Sequence, residues 1–421
     1  MPDSILPLSE TVTPIDQSAA QEVMAAAVAA GTPVYPLGAG TMLGQGANCD
    51  RQGNPLPSGL GLSTAKLNKV IDHADRDLTI TVEPGVTIAK LAKLLAAKNQ
   101  RLPVDIPNPA HATIGGAVAV GGGGPRRFSR GTMRDYVIGF SAVDGTGTTF
   151  AGGGRVVKNA AGYDMCRLMT GSLGTLGLVT QVTLMVKPLP DESAILACDL
   201  PDFETAERML ADLVRTETLP AAVELLCGPA WQEDPALGPL GDGTARLLVG
   251  FEGSQADVEW MLETLGWQWR QAIGQAPTVV KKSQVAPLWN RLTQFPAEND
   301  GKAPSPPLVV QITTLPGKLV GLMQQIQKLN PQVSIQAHAG DGIIKAKFPV
   351  EPNDAATLLQ EKLRPTVAAA EASMVVLGYS PQAKLDQTAV WGSPTDGIDV
   401  MQAIKDRFDP QGLLNPGRFI F

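Results

Sequence analysis

Arg126, Arg127, Arg130, Arg134 and Lys158 are among the cations of one glycine-rich region of the chain. A guanidinium presents a planar fork of donors that matches a carboxylate or a phosphate, so such a cluster can hold an anionic ligand. The same side chains could instead form a solvated rim, or ion pairs such as Arg134 with Asp135 that hold a loop. Three histidines are available for proton transfer or ligation: His73, His111 and His338. His73, in Ile-Asp-His-Ala-Asp-Arg-Asp, reads as a surface-loop residue. His338 is followed by Ala-Gly-Asp-Gly, and a β-turn at Gly340-Asp341-Gly342 joining two strands accounts for that composition by itself.

Three glycine-bearing stretches offer chemistry of another kind. The first is Pro36-Leu-Gly-Ala-Gly-Thr-Met-Leu-Gly44. Its spacing is not GxGxxG, and Gly46, Asn48, Gly53, Pro55 and Pro57 break any helix after it, so a dinucleotide resting on a helix N-terminus is not expected. What remains is a nest of backbone N–H groups able to hold a pyrophosphate. The second runs from Pro107 to Val120 and on into Gly121–Gly124. Its side chains are so small that something else is expected to pack there. The third carries glycines at 171, 174 and 177 directly before an alternating strand, Leu178 to Val186. Glycine costs about 1 kcal/mol inside a helix or strand, so this stretch reads as a loop. It is either the seat of a phosphate or ring edge, or a tight turn.

Elements must position these loops. Ser18 to Ala30 has an amphipathic pattern, with Ser18 opening the helix and Gly31 closing it. Strands are expected at 33–35 and 78–82, a helix at 88–97, and a hairpin of 137–143 and 148–150 over Asp144-Gly145. After Pro190 the texture changes: 26 of the 44 glycines are already past, and five of the six tryptophans lie between Trp231 and Trp289. Strand 194–199, helix 203–215, strands 221–227 and 245–252 and a helix from Ser254 form one pass. Strand 308–314, helix 318–329, strands 333–338 and 343–348, helix 354–362 and strand 373–379 form a second. Two βαββα passes predict an antiparallel sheet with helices over one face.

At 421 residues the chain is long enough for two or three domains. No apolar run reaches the ~18 residues of a membrane span, and a basic, apolar leader is not evident. Cys49, Cys166, Cys198 and Cys227 form no CxxC pair, which argues against a disulfide frame or an iron–sulfur site and for reduced thiols in a cytoplasmic setting. Net charge is −7, yet residues 1–190 carry 16 Lys/Arg and 13 Asp/Glu, so the excess of acid lies after them. An acidic chain with few aromatics is a poor nucleic-acid binder.

Four stretches together resemble a known flavoprotein family. Gly38-Ala-Gly-Thr41, Ala112-Thr-Ile-Gly-Gly116 and Gly171-Ser-Leu-Gly-Thr-Leu-Gly177 with the strand after it resemble the FAD-binding domain of the vanillyl-alcohol-oxidase (PCMH-type) family. Phe408-Asp-Pro-Gln-Gly-Leu-Leu-Asn-Pro-Gly417 resembles that family's FAD-linked oxidase C-terminal domain. Gly124-Pro-Arg-Arg127, Arg134-Asp135 and Val157-Lys-Asn-Ala-Ala-Gly-Tyr-Asp164 look like the E-type subunit of glycolate oxidase (glycolate dehydrogenase). The resemblance implies an α+β fold: a PCMH-type FAD-binding domain of two subdomains (1–190), an α/β cap domain with an antiparallel sheet (191–380), and a segment (381–421) returning to the FAD domain.

It also implies site residues. Leu37, Gly38, Ala39, Gly40, Thr41 and Met42 would offer backbone N–H groups to the FAD pyrophosphate. Thr113, Ile114, Gly115, Gly116, Gly121 and Gly122 would run beside the phosphates and isoalloxazine. Gly177, Leu178 and Val179 would face the adenosine end, Arg134 and Asp135 join the cofactor set, and Asn415 would lie near the ring edge. Relatives that bond the flavin covalently use a His or Cys. None lies in 36–46, so the FAD is expected to be non-covalent, with His111 the nearest histidine.

Oxidation of a hydroxy acid needs a base, a cation for the carboxylate and a carbinol carbon held against the flavin. Arg127, Lys158, Tyr163 and Asn415 are the candidates, Tyr163 being either a ring beside the flavin or core. Ala337 to Lys345 is similar to the His-x-Gly-Asp-Gly-Asn-x-His segment of D-2-hydroxy-acid dehydrogenases, but Ile343 replaces the Asn and Lys345 the second His. An ammonium repels a metal ion, so no metal is expected. The resulting expectation is an accessory or electron-relaying subunit of a 2-hydroxy-acid oxidase, cytoplasmic or membrane-associated through partners. Those partners would be a homologous catalytic flavin subunit and an iron–sulfur subunit. A self-sufficient FAD dehydrogenase and a non-redox flavin scaffold are the alternatives.

Overall fold

The structure, a computed structural model, describes residues 5–154, 163–240, 244–274, 276–297, 305–394 and 396–420. The segment Val157–Gly162, with Lys158, lies outside them. The chain divides into two compact units, one of residues 1–123, 131–189 and 384–421, the other of 124–130 and 190–383. Residues 124–130 therefore belong to the second unit although they lie inside the first in sequence.

Among the described residues the first unit holds two larger sheets and a two-stranded pairing of Gln100–Arg101 with Lys187–Pro188. β1 (Leu8–Val12), β2 (Val34–Leu37) and β3 (Gly59–Ser63) form a parallel sheet in the order β1-β3-β2. Between β1 and β2 lies α1 (Gln17–Ala30), which buries Ala20, Met24 and Ala27. Asp16, not Ser18, opens α1: its carboxylate accepts the Ala19 N–H at 2.9 Å, and Gly31, left-handed at φ 62°, closes it.

The second sheet is antiparallel. It comprises β4 (Val70–Ala74), β5 (Thr79–Val82), β6 (Val137–Val143), β7 (Thr149–Gly153) and β8 (Leu178–Met185), in the order β4-β5-β8-β6-β7. His73 lies on β4, half-buried and 3.0 Å from Gln100, so it is a strand residue and not part of a surface loop. The helices α2 (Ile88–Ala96) and α3 (Ile114–Val120) pack on this sheet through Leu91, Leu95, Ile114 and Val118.

α3 forms where no helix is expected, and Gly115 and Gly116 lower its helix propensity. Close packing explains them. A Cβ on Gly115 would stand 2.5 Å from Pro84 Cβ, so the helix approaches that proline only through a bare Cα. The Thr113 hydroxyl caps the helix by accepting the Gly116 N–H at 3.3 Å, and Gly121 (φ 66°) ends it.

The second unit is built on one eight-stranded sheet in which every pair is antiparallel. The first pass supplies β9 (Glu192–Leu200), α4 (Phe203–Leu213), β10 (Ala222–Cys227), β11 (Ala245–Gly253) and α5 (Gln255–Ile273). Next comes α6 (Lys282–Gln294), with Pro287 inside it, where no separate helix is expected from the sequence. The second pass gives β12 (Leu308–Thr313), α7 (Leu319–Leu329), β13 (Ser334–His338), β14 (Ile343–Phe348) and β15 (Ser373–Gly378). Apart from the two-residue edge strand Thr278–Val279, the order is β9-β11-β10-β13-β14-β12-β15. The two passes therefore meet edge to edge at β10 and β13. On one face Ile195, Ala222, Leu226 and Leu248 pack against Trp289 and Leu292 of α6.

Candidate functional site

In the first unit, packing around α3 brings the glycine loops together. Gly38 of the first loop lies against the start of α3, where a Cβ would meet Thr113 Oγ1 at 2.6 Å. Gly121, at the end of α3, touches the third loop: its Cβ would lie 2.9 Å from Gly171 Cα, and Gly171 and Leu173 donate to the Val118 and Ala119 carbonyls. Gly177 has another reason to be bare, since a Cβ there would be 2.9 Å from the Val143 carbonyl of β6. Leu178 and Val179 are buried, with backbones paired to Val143 and Ala142.

The first loop differs from the second in what its donors do. Among the described residues, no acceptor meets the backbone N–H groups of residues 38–44. They include Gly38, Ala39, Gly40, Thr41 and Met42, and they lie in partly or fully exposed residues. At the α3 start the donors are used internally: Ile114 gives to Val86, Gly115 to Pro84 and Gly116 to Thr113. A run of free, consecutive N–H groups in a glycine-bearing turn is what an oxyanion such as a diphosphate requires. The first loop therefore fits that part of FAD, while the α3 start supplies close approach without donors.

The C-terminal tail ties these loops into one body. Val34 N–H donates to the Leu413 carbonyl and Asn415 N–H returns to Val34. Asn415, at φ 45°, sends its side-chain amide to the Leu173 carbonyl at 2.6 Å, beside Gly174. Lys405 is buried, donating to the Thr175 and Leu414 carbonyls and to Asp409, whose carboxylate accepts the Leu413 and Leu414 N–H groups. Burial pulls the Lys405 ammonium below its usual range, opposed by Asp409. Arg418 donates to the Leu43, Gln45, Gly46 and Ala47 carbonyls. Arg134 and Asp135 are exposed, and Asp135 caps its own turn through Thr132. His111 is exposed in the turn before α3. Tyr163 is 95% exposed, which removes the core reading of its ring.

In the second unit a polar cluster is built on one face of the sheet where the two passes meet. Register sets Glu224 opposite His338, Leu226 opposite Gln336, and Gln336 opposite Lys345. Glu224 Oε1 lies 2.6 Å from His338 Nδ1, and its Oε2 accepts the Gln336 amide at 2.7 Å. Glu224 and His338 are each 1% exposed, and Lys345 is also buried. Residues 124–130 lie over this face. Arg126 pairs with Glu252 at 2.7 Å and stacks on Trp289, while Arg130 reaches the other Glu252 oxygen at 3.5 Å. Ser129 donates to Ala221, and Arg127 lies 3.4 Å from Asp341. Burial pushes the Asp341 carboxyl up, outweighing the opposing pull of Arg127. The turn at Gly340–Gly342 is present, with Gly340 flat against the Phe128 ring. Sequence reasoning weighed His338 but favoured a plain turn after it, and it missed Glu224, for which the only signal was a carboxylate in an otherwise apolar strand, Ala-Val-Glu-Leu-Leu-Cys. Among the described residues no group of three or more His, Cys, Asp or Glu could hold a metal.

Comparison with known proteins gives two family matches: an FAD binding domain over residues 9–153, and the C-terminal domain of FAD linked oxidases over residues 189–379 and 393–419. The chain belongs to the FAD-linked oxidases. It is an FAD-dependent oxidoreductase, and the loops around α3 lie in or next to its FAD-binding domain. Among relatives of this family, the chain is 27% identical to glycolate oxidase subunit GlcD of Bacillus subtilis, across 92% of this chain and 83% of that protein. It is 33% identical to glycolate oxidase subunit GlcE of Escherichia coli, but over only 38% of this chain and 44% of that one. The solved structure of an alkyldihydroxyacetonephosphate synthase superposes with a TM-score of 0.69 at 17% identity, covering 96% of this chain and 76% of the synthase, which is a likeness of fold. The resemblance to the E-type subunit thus holds for part of the chain, and the D-type subunit is matched over most of it.

Proposed function

We propose that this FAD-linked oxidase oxidises a small 2-hydroxy acid itself, using non-covalent FAD. The match to a D-type glycolate oxidase subunit over most of the chain supports this reading. The observation that carries it is the His338–Glu224 pair. A carboxylate at Nδ1 favours the tautomer with its proton on that nitrogen, which makes Nε2 the basic atom. His338 Nε2 is the proton acceptor for the substrate hydroxyl, and Glu224 orients the ring and stabilises the imidazolium. Gln336 holds the second Glu224 oxygen and so fixes the carboxylate. Arg127 is the cation assigned to the substrate carboxylate; it belongs to the segment that lies over the same sheet face as His338, 3.4 Å from Asp341. FAD supplies the two-electron acceptor. Lys158, Tyr163 and Asn415 remain candidates for positioning substrate or ring.

A second reading, an accessory or electron-relaying subunit beside a catalytic flavin subunit and an iron–sulfur subunit, is favoured by the near-complete burial of His338 and Glu224. Anaerobic addition of glycolate or D-lactate to purified, FAD-loaded protein separates the two. Bleaching of the flavin absorption, abolished in His338→Gln, is expected. Flavin that stays oxidised until a partner protein is added would replace the first reading with the second.

A further inference from the structure

We infer that Arg418 is a positioning residue for the cofactor diphosphate: its buried guanidinium pins the C-terminal end of the first glycine loop, turning the Gly44 N–H outward and fixing the run of donors before it. This rests on the FAD reading above. Residues 38–44 offer a run of N–H donors without acceptors among the described residues, and the four carbonyls that Arg418 holds begin at the end of that run. Gly46 and Ala47 accept at 3.1 and 2.6 Å, Gln45 at 3.3 Å, and Leu43 also accepts.

A trans peptide is planar with C=O and N–H on opposite sides. Turning the Leu43 carbonyl toward Arg418 therefore turns the Gly44 N–H away from it. The Leu43 carbonyl is the one in the run that Arg418 holds, and the Gln45, Gly46 and Ala47 carbonyls just after it pin the end of the loop to the same side chain. Only arginine has enough donors in a rigid plane; a lysine ammonium offers three at one point. Arg418 is 5% exposed, and Gly46 must be glycine for it to fit: a Cβ there would be 2.9 Å from the guanidinium carbon, at φ 135°. The tail closes the geometry, since the Arg418 carbonyl accepts the Ala47 N–H at 3.2 Å.

The test compares wild type, Arg418→Lys and Arg418→Met by calorimetric titration with FAD, with ADP (the diphosphate half alone) and with riboflavin (no diphosphate). A loss of at least tenfold in FAD and ADP affinity, with riboflavin changed less than twofold, is expected. Equal weakening of ADP and riboflavin, or no change in any, overturns the inference. Hydrogen–deuterium exchange on the unmodified protein tests it even if both variants fail to fold. ADP must slow exchange in the peptide spanning residues 37–47, and unchanged exchange there overturns it. A wild type that binds no FAD sinks the functional reading instead, so the two failures are distinguishable.

Discussion

At the scale of single residues, the arrangement stands on partners far apart in sequence. His338 and Glu224 are 114 positions apart, so the histidine was visible in the sequence and its partner was not. Glu224→Gln keeps the shape of the side chain and removes its charge. With His338 as base, the rate of flavin reduction by substrate should fall by about 10²–10⁴-fold while bound FAD stays unchanged. Rapid-mixing absorbance reads both quantities.

Asp341 gives a pH dependence of definite sign. Its folded value is raised above the unfolded 3.8, so within that interval the unfolded chain has already released a proton that the folded chain retains. Its contribution to stability is present below 3.8 and lost as pH rises through the folded value. Urea unfolding across that interval should show the loss in wild type and not in Asp341→Asn. The four cysteines are buried, and burial raises Cys166 to about 11 and Cys198 and Cys227 to about 12. Native protein should therefore resist a thiol reagent that labels all four after unfolding.

At the scale of elements, periodicity found most of the frame. It missed β1, β3 and β4 of the first unit, and also α3 and α6, each of which carries residues that helix propensity penalises. α3 holds glycines that helix propensity penalises, kept because Pro84 and the first loop press against it. α6 contains Pro287, which reads as a breaker, yet the burial of Leu288, Trp289 and Leu292 secures the helix. The opening of α1 lies earlier than Ser18: Ser18 and Asp16 are both good caps, and only geometry shows whether the hydroxyl or the carboxylate meets the N–H.

Gly38→Ala tests the α3 contact directly. The new methyl would lie 2.6 Å from the Thr113 hydroxyl that caps the helix. Destabilisation of about 1–3 kcal/mol is expected, with loss of FAD on purification. Denaturant unfolding gives the first quantity and the visible spectrum the second.

At the scale of the whole molecule, the antiparallel sheet of two passes was legible as a repeat of elements. The polar cluster at its centre was not, because pairing between β10 and β13 is a matter of sheet order, which no local pattern encodes. The place of residues 124–130 was hidden for a similar reason. Their arginines read as substrate- or cofactor-binding residues, as a rim or as loop-holding pairs, and their carboxylate partners, Glu252 and Asp341, lie in another part of the chain. Cofactor linkage gives the prediction at this scale. FAD at 100 times its dissociation constant should add about 2.7 kcal/mol to the stability of the unit that binds it. A calorimetric scan in which no transition moves with added FAD would contradict that.

The clasp between Arg418 and the Gly46 carbonyl spans 372 residues of sequence. On a ribosome adding 5–20 residues per second, the first loop emerges roughly 20–75 s before the arginine that finishes it. Flavin loading is then a late event in biogenesis, and nascent chains stalled before residue 418 should carry no yellow colour.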